Sequence, residues 1–173
     1  MMKAKSFFFW GTVCCCLFCF LQIWYPFYFY YVEQLQVFLL TWACFAETCR
    51  QPGGLACWLG GFLLQFYHLP LGGALVSTGL FLGIGVLMQR ICRQTTSPVF
   101  CYLPALWPIL ALLPLHVDVN YRLQGTVAYC CMLGAFLLYV RIVVPWKRVL
   151  VGWLSTAVLF ALAGPVATLF VAG

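Results

Sequence analysis

Five long apolar runs constrain this chain more than any other feature. Residues 6–25, 71–89, 99–116, 125–144 and 149–171 carry almost no charge. Each is close to the roughly 20 residues that a helix needs to cross a bilayer core of about 30 Å. In hydrocarbon every backbone amide needs an internal partner, so a spanning chain is helical or a closed barrel. Barrel strands are short and alternate in polarity, and these runs do neither. The expectation is an all-α integral membrane protein forming a single polytopic domain over residues 1–173. It has about five transmembrane helices and one or two interfacial or re-entrant helices after the first span.

Composition supports the same solvent. The chain is 65% hydrophobic and 7% charged, with a mean hydropathy of +1.03. Soluble domains carry roughly a quarter charged residues. Nine basic and three acidic residues cannot coat a water-soluble surface. Membrane lipid is therefore the expected partner. A net charge of +6 would point to nucleic acid only if the charges clustered on one wetted face. They are scattered between apolar runs, so no nucleic-acid partner is expected.

Those charges instead carry topology, because Lys and Arg accumulate in cytoplasmic loops. Lys3 and Lys5 precede the first run, Arg90 and Arg93 follow the second, and Lys147 and Arg148 lie between the fourth and fifth, with Arg141 near the end of the fourth able to snorkel to the same side. Alternating spans put these seven on the cytoplasmic side. Arg50, Arg122 and the three acids Glu33, Glu47 and Asp118 fall on the other. The expectation is a multi-pass protein of the bacterial inner membrane with a cytoplasmic amino terminus. The first run ends in Gln22-Ile23-Trp24-Tyr25-Pro26, without the small-residue site of a cleaved signal, and reads as an anchor.

Residues 28–70 are too apolar for a solvated loop and too interrupted for an ordinary span. From Val32 to Gln51, helical spacing places Leu35, Phe38, Leu39, Trp42, Phe45 and Ala46 opposite Glu33, Gln34, Gln36, Thr41, Glu47 and Thr48. This predicts one amphipathic helix, lying at the membrane interface or, since it lacks a basic face, docked onto the chain's own helices. Pro52-Gly53-Gly54 breaks it. A second helix over Gly53–Leu69 reads as re-entrant or interfacial rather than as a short span. If both segments crossed, the later orientations would be unchanged. Pro104, Pro108 and Pro114 should bend or break the third span, and Gly164-Pro165 the fifth. Gly79 and Gly83 have the spacing that lets helices approach closely, with packing inside the chain as the ordinary role.

Groups able to do chemistry are few. His116 and Asp118 could share a loop, but a zinc site needs three or four ligands and no third is evident, so neither metal nor cofactor is expected. Glu33 lies in an apolar setting and most simply caps the polar face of the interfacial helix, paired with Arg50 or Arg122. His68 reads as a helix end. Most cysteines fall in or beside apolar runs and act as small apolar side chains. Cys44, Cys49 and Cys57 lie where oxidation is possible. There is no phosphate-cradling glycine loop, nucleophile elbow or paired-histidine zinc helix, and no run of charges inside a span.

The ordered segments Glu33-Gln34-Leu35-Gln36-Val37-Phe38, Gln51-Pro52-Gly53-Gly54-Leu55-Ala56 and Phe62-Leu63-Leu64-Gln65-Phe66 give the chain a resemblance. Over roughly residues 28–90 it resembles a multispan membrane family known as domain of unknown function 6057. Members of that family look several times longer, which implies that these residues correspond to an amino-terminal portion. The resemblance implies no activity. A looser similarity is to membrane glycosyltransferases that use polyprenyl-phosphate sugars. In those enzymes one span leads to an outer loop with horizontal helices and an early acid. It implies catalytic roles for Glu33 and Asp118, since a carboxylate can take a proton from an attacking hydroxyl. The chain departs from that pattern in lacking paired acids after Glu33 and in having too few spans. The expected function is structural or interactive, with residues 32–69 on the outer face and protein partners reached through that segment or the second span. The alternative is the amino-terminal part of an enzyme acting on lipid-linked sugars, which leaves enzymatic status open.

Overall fold

A computed structural model describes residues 2–34, 38–95, 101–118, 120–166 and 171, and among them the chain is all-helical without strands. The helices are α1 (Met2–Trp24), α2 (Pro26–Gln34), α3 (Trp42–Cys49), α4 (Gly54–Leu64), α5 (Gly72–Thr95), α6 (Tyr102–Val117), α7 (Leu123–Val140) and α8 (Pro145–Ala163). Short 3-10 segments follow α4 at Gln65–His68 and α8 at Gly164–Val166.

Four helical stretches are long and apolar enough to cross a membrane: Ser6–Trp24, Gly72–Gln94, Leu123–Val140 and Pro145–Val166. The third expected span is helical, but Tyr102–Val117 is shorter than these, and residues 96–100 lie outside the described ones. Pro104 falls in the first turn of α6, where a helix has no use for its N–H. Pro108 and Pro114 lie inside α6, which nonetheless continues unbroken.

Helix ends depart from the hydropathy-based boundaries where local chemistry intervenes. α8 starts at Pro145, not Val149, because proline's fixed φ suits a first helical position. It stops at Gly164 instead of reaching Val171, because Gly164 adopts φ +67° and Pro165 follows. α5 runs past Gln89 to Thr95.

The single amphipathic helix expected over Val32–Gln51 is two helices. Residues 38–40 are not helical, and Thr41 opens α3 as an extended N-cap whose hydroxyl accepts the Cys44 N–H at 3.3 Å. A local cap competes well with weak amphipathic continuity, and α3 buries none of its residues. Leu39 and Trp42, on the apolar side of that pattern, are exposed and not docked on the bundle. Phe38 does pack inward, against Trp58. The second helix forms as expected, from Gly54 through the 3-10 segment to His68.

α5 is the central element, touching α1, α6, α7 and the 65–68 segment. Residues from both halves of the chain build the core around it, including Leu21, Phe29, Tyr67, Phe81, Ala105, Ile109 and Val127. Within the long helices, 44% of the α5 window and 39% of the α7 window are buried, against 11% for α1 and 17% for α8. α1 and α8 therefore form the flanks and turn most of their apolar side chains outward.

The two ends of the bundle are chemically different. At one end the start of α1 meets the end of α5 and the start of α6, through Trp10 on Gln89 and Phe9 on Tyr102. At the other, α4 packs on the start of α7 and the end of α8 and, with its flanking segments, forms a cap there. Gly53 docks on Gly164 beyond α8, Gly60 abuts the Gln124 backbone at the start of α7, and Tyr67 bonds Ser77 near the start of α5. The 11 residues of α4 rise about 17 Å, too little to cross a bilayer core.

The two predicted breaks meet. The carbonyl of Ala161 belongs to the last turn of α8 and would serve the N–H of residue 165, which is proline. Gly53, in the left-handed region at φ +82°, donates its N–H to that oxygen at 3.0 Å instead. The turn of the cap thus satisfies a carbonyl that the helix cannot.

Candidate functional site

Polar side chains in this apolar chain are concentrated at two buried points. The first joins the cap to the bundle. Ser77 projects from the second turn of α5, where its hydroxyl meets the Nε2 of His116 at 2.8 Å and the phenol of Tyr67 at 3.0 Å. Ser77 is 0% exposed and His116 2%. Phe81 and Tyr121 pack edge-on to the imidazole, and Phe29 packs edge-on to Tyr67. Burial pushes the Tyr67 phenol above its ordinary range, opposed by its hydrogen bond with Ser77. Three elements are thereby stapled together by one hydroxyl.

A serine within hydrogen-bond reach of a histidine is the start of a nucleophile–base pair. The rest of such a site is absent among the described residues. His116 Nδ1 is buried without a hydrogen-bond partner, so no carboxylate orients the ring. Ser77 is sealed from any substrate. The arrangement acts as a buried polar staple, and its neighbour Thr78 carries a second buried hydroxyl with no partner.

His116 and Asp118 do not form a shared site. The imidazole turns into the core, whereas Asp118 is exposed, and its Oδ1 accepts the backbone N–H of Asn120 at 2.9 Å and the Asn120 amide at 3.3 Å. This is a local turn that leads into α7. No group of three potential metal ligands occurs among the described residues. Glu33 lies on α2, but its side chain is outside the described ones, so its pairing with Arg50 or Arg122 is too. The α2 helix does reach the Asp118 loop: Tyr28 donates to the Asp118 carbonyl at 3.4 Å. Burial, then the nearby Asp118 charge and Tyr121, push the Tyr28 phenol up to about 12. Cys44, Cys49 and Cys57 are free thiols.

The second buried point lies at the opposite end and was not singled out in the sequence. Gln89, 3% exposed, accepts Trp10 Nε1 at 2.9 Å and the Ser6 hydroxyl at 3.3 Å on one oxygen, while Arg93 donates to Ser6 at 3.4 Å. A glutamine inside an apolar run was the available signal, since a polar group in a core demands partners. The close helix approach also sits elsewhere than expected. A Cβ on Gly79 would meet nothing within 4 Å and one on Gly83 only Cys130, whereas Gly85 is where Trp10 of α1 presses against α5.

The cap carries an aromatic row. Phe45 and Phe38 meet Trp58 edge-on at 5.2 and 5.7 Å, Trp58 stacks on Phe62 at 5.8 Å, and Phe62 meets Phe66 at 5.5 Å. Trp42 extends it from Phe45 and is exposed, as is Phe66.

No curated protein and no solved structure matches this chain. A family model does, over residues 1–173. The chain therefore belongs to the family of unknown function DUF6057.

Proposed function

We propose that this is a multi-pass protein of the bacterial inner membrane, with its amino terminus in the cytoplasm. Its role is structural or interactive, exercised by the cap of residues 32–69 on the outer face. The observation that carries the reading is the α4 segment, which packs at one end of the bundle and displays an aromatic row there. Aromatic side chains favour the headgroup level, where an apolar ring can sit beside a polar phase. Membrane residence draws support from the outward faces, where Phe7, Phe8, Ile23, Trp107, Leu110, Trp153 and Leu154 are exposed. Orientation draws support from charge: seven basic residues lie at the end opposite the cap, and the three acids lie at the cap end.

The interaction reading is tested by placing a photo-crosslinking residue at Trp42 or Phe66 in intact cells and purifying the chain. Adducts with other proteins are expected from both positions and not from Cys15 on α1. Recovery of the monomer alone from all three would overturn an interactive cap. In a cysteine-free background, Arg50→Cys should react with an impermeant reagent from the outer side. Labelling only from the cytoplasm would overturn the placement of the cap.

A second reading, an acid-dependent enzyme acting on lipid-linked sugars, draws on one contact. Tyr28 on the Asp118 carbonyl brings the helix that bears Glu33 to the loop that bears Asp118. Under this reading the two carboxylates would serve the transfer. Unchanged sugar-lipid processing in cells carrying Glu33→Ala and Asp118→Ala together would sink it.

A further inference from the structure

A groove of about 460 Å³ runs along the seam between α1 and α5, lined by Ser6, Phe7, Trp10, Gly11, Cys14 and Leu82, with Arg93 at its head. Its volume lies within the ordinary range of ligand clefts. Polarity is confined to one end. There the exposed Arg93 donates to Ser6 Oγ at 3.4 Å, and Ser6 and Trp10 share the buried Gln89 oxygen at 3.3 and 2.9 Å. The guanidinium is thus moored to a fixed network rather than swinging on a free stem. Beyond that head the lining is apolar and opens sideways. Gly11 leaves the space clear, since a Cβ there would meet nothing within 4 Å.

We propose that this groove binds one anionic phospholipid of the inner leaflet, its phosphate against Arg93 and Ser6 and one acyl chain over Phe7, Gly11, Cys14 and Leu82. The proposal rests on the membrane reading given above. The planar guanidinium fork matches phosphate oxygens in pairs. Arg90 beside Arg93 brings further positive charge to the same end. Basic pockets between spanning helices on the cytoplasmic side are a recurring way of holding such headgroups. Selectivity follows from what this end lacks. All three acids of the chain, Glu33, Glu47 and Asp118, belong to the cap end, so the amine of a zwitterionic headgroup meets no carboxylate here.

The test is native mass spectrometry of the whole chain in mild detergent, with phosphatidylglycerol and phosphatidylcholine added in equal amounts. One retained phosphatidylglycerol is expected, held at least about fivefold more strongly than phosphatidylcholine. Arg93→Gln should remove that preference. Gly11→Leu, which fills the groove without altering charge, should weaken retention of both lipids, and Lys147→Gln, at the same end but outside the groove, should change neither. Equal retention of phosphatidylglycerol by the unsubstituted chain and Arg93→Gln would overturn the site, as would its displacement by equimolar inorganic phosphate. Alkaline carbonate treatment of membranes from the same cells separates the two levels of inference. Extraction of the chain would remove the membrane reading and the lipid site with it, whereas a pelleted chain that binds both lipids alike removes the lipid site alone.

Discussion

Replacing Gly53 by alanine should loosen the cap from α8. Gly53 sits at φ +82°, where a side chain on an L-residue costs about 1–2 kcal/mol. Its new Cβ would lie 3.2 Å from both Cα and N of Gly164, backbone atoms that cannot rotate away. Relief requires the two turns to part, which stretches the 3.0 Å bond from Gly53 N–H to the Ala161 carbonyl. That carbonyl has no helical donor because residue 165 is proline, and losing one ordinary hydrogen bond costs about 0.5–1.5 kcal/mol. Against these stands the smaller conformational freedom of the unfolded alanine chain, about 0.4–1 kcal/mol in favour of the variant. The net loss is about 0.5–3 kcal/mol. Gly79→Ala is the control, since it lies inside α5 with open space at its Cβ. That substitution should gain up to about 1 kcal/mol from helix propensity. Both are measured by reversible denaturant unfolding in detergent, followed by far-UV circular dichroism. A Gly53→Ala chain as stable as the parent, or a Gly79→Ala chain equally weakened, would refute the pairing of the two turns.

Adjacent positions on α5 should respond with opposite sign. Ser77→Ala strips a partner from both Tyr67 and His116 and should lose about 1–3 kcal/mol, whereas Thr78→Val removes a hydroxyl that has no partner and should be neutral or stabilising in the same unfolding measurement. At the other end, Gln89→Leu combined with Trp10→Phe in a double-mutant cycle should show a coupling of about 0.6–1.7 kcal/mol, and additive effects would deny the hydrogen bond. Tyr28 holds its proton more tightly in the folded chain than the ordinary value of 10, with its value pushed up to about 12. The stability this lends is therefore complete below pH 10 and is lost as the pH climbs through about 12. Alkaline unfolding should shift to higher pH in Tyr28→Phe, and an unaltered profile would argue against the burial of that phenol.

Local chemistry reached far into this structure. Long apolar runs favour helices because a helix satisfies its backbone amides within the run itself. Pro52-Gly53-Gly54 and Gly164-Pro165 break the chain where their backbone geometry requires, and the spacing of basic residues anticipates which helix ends lie together. The candidate acids were legible only as isolated groups. Asp118 closes a turn onto Asn120, which a composition-based reading does not distinguish from a catalytic carboxylate. The amphipathic pattern over Val32–Gln51 failed because hydrophobic periodicity is blind to the cap at Thr41. A related blindness hides the interior of the bundle. When outward faces are as apolar as buried ones, periodicity cannot tell which side of a helix meets a neighbour, so Gly79 and Gly83 looked like the close approach that Gly85 makes. By itself the sequence determined the helical class, the breaks and the segregation of charge. Only the tertiary structure decided that the two breaks meet, that Ser77 joins His116 to Tyr67, and that Gln89 ties Ser6 and Trp10 together. Those pairings depend on which helices are neighbours, and residues as far apart in the chain as Gly53 and Gly164 carry no local mark of it.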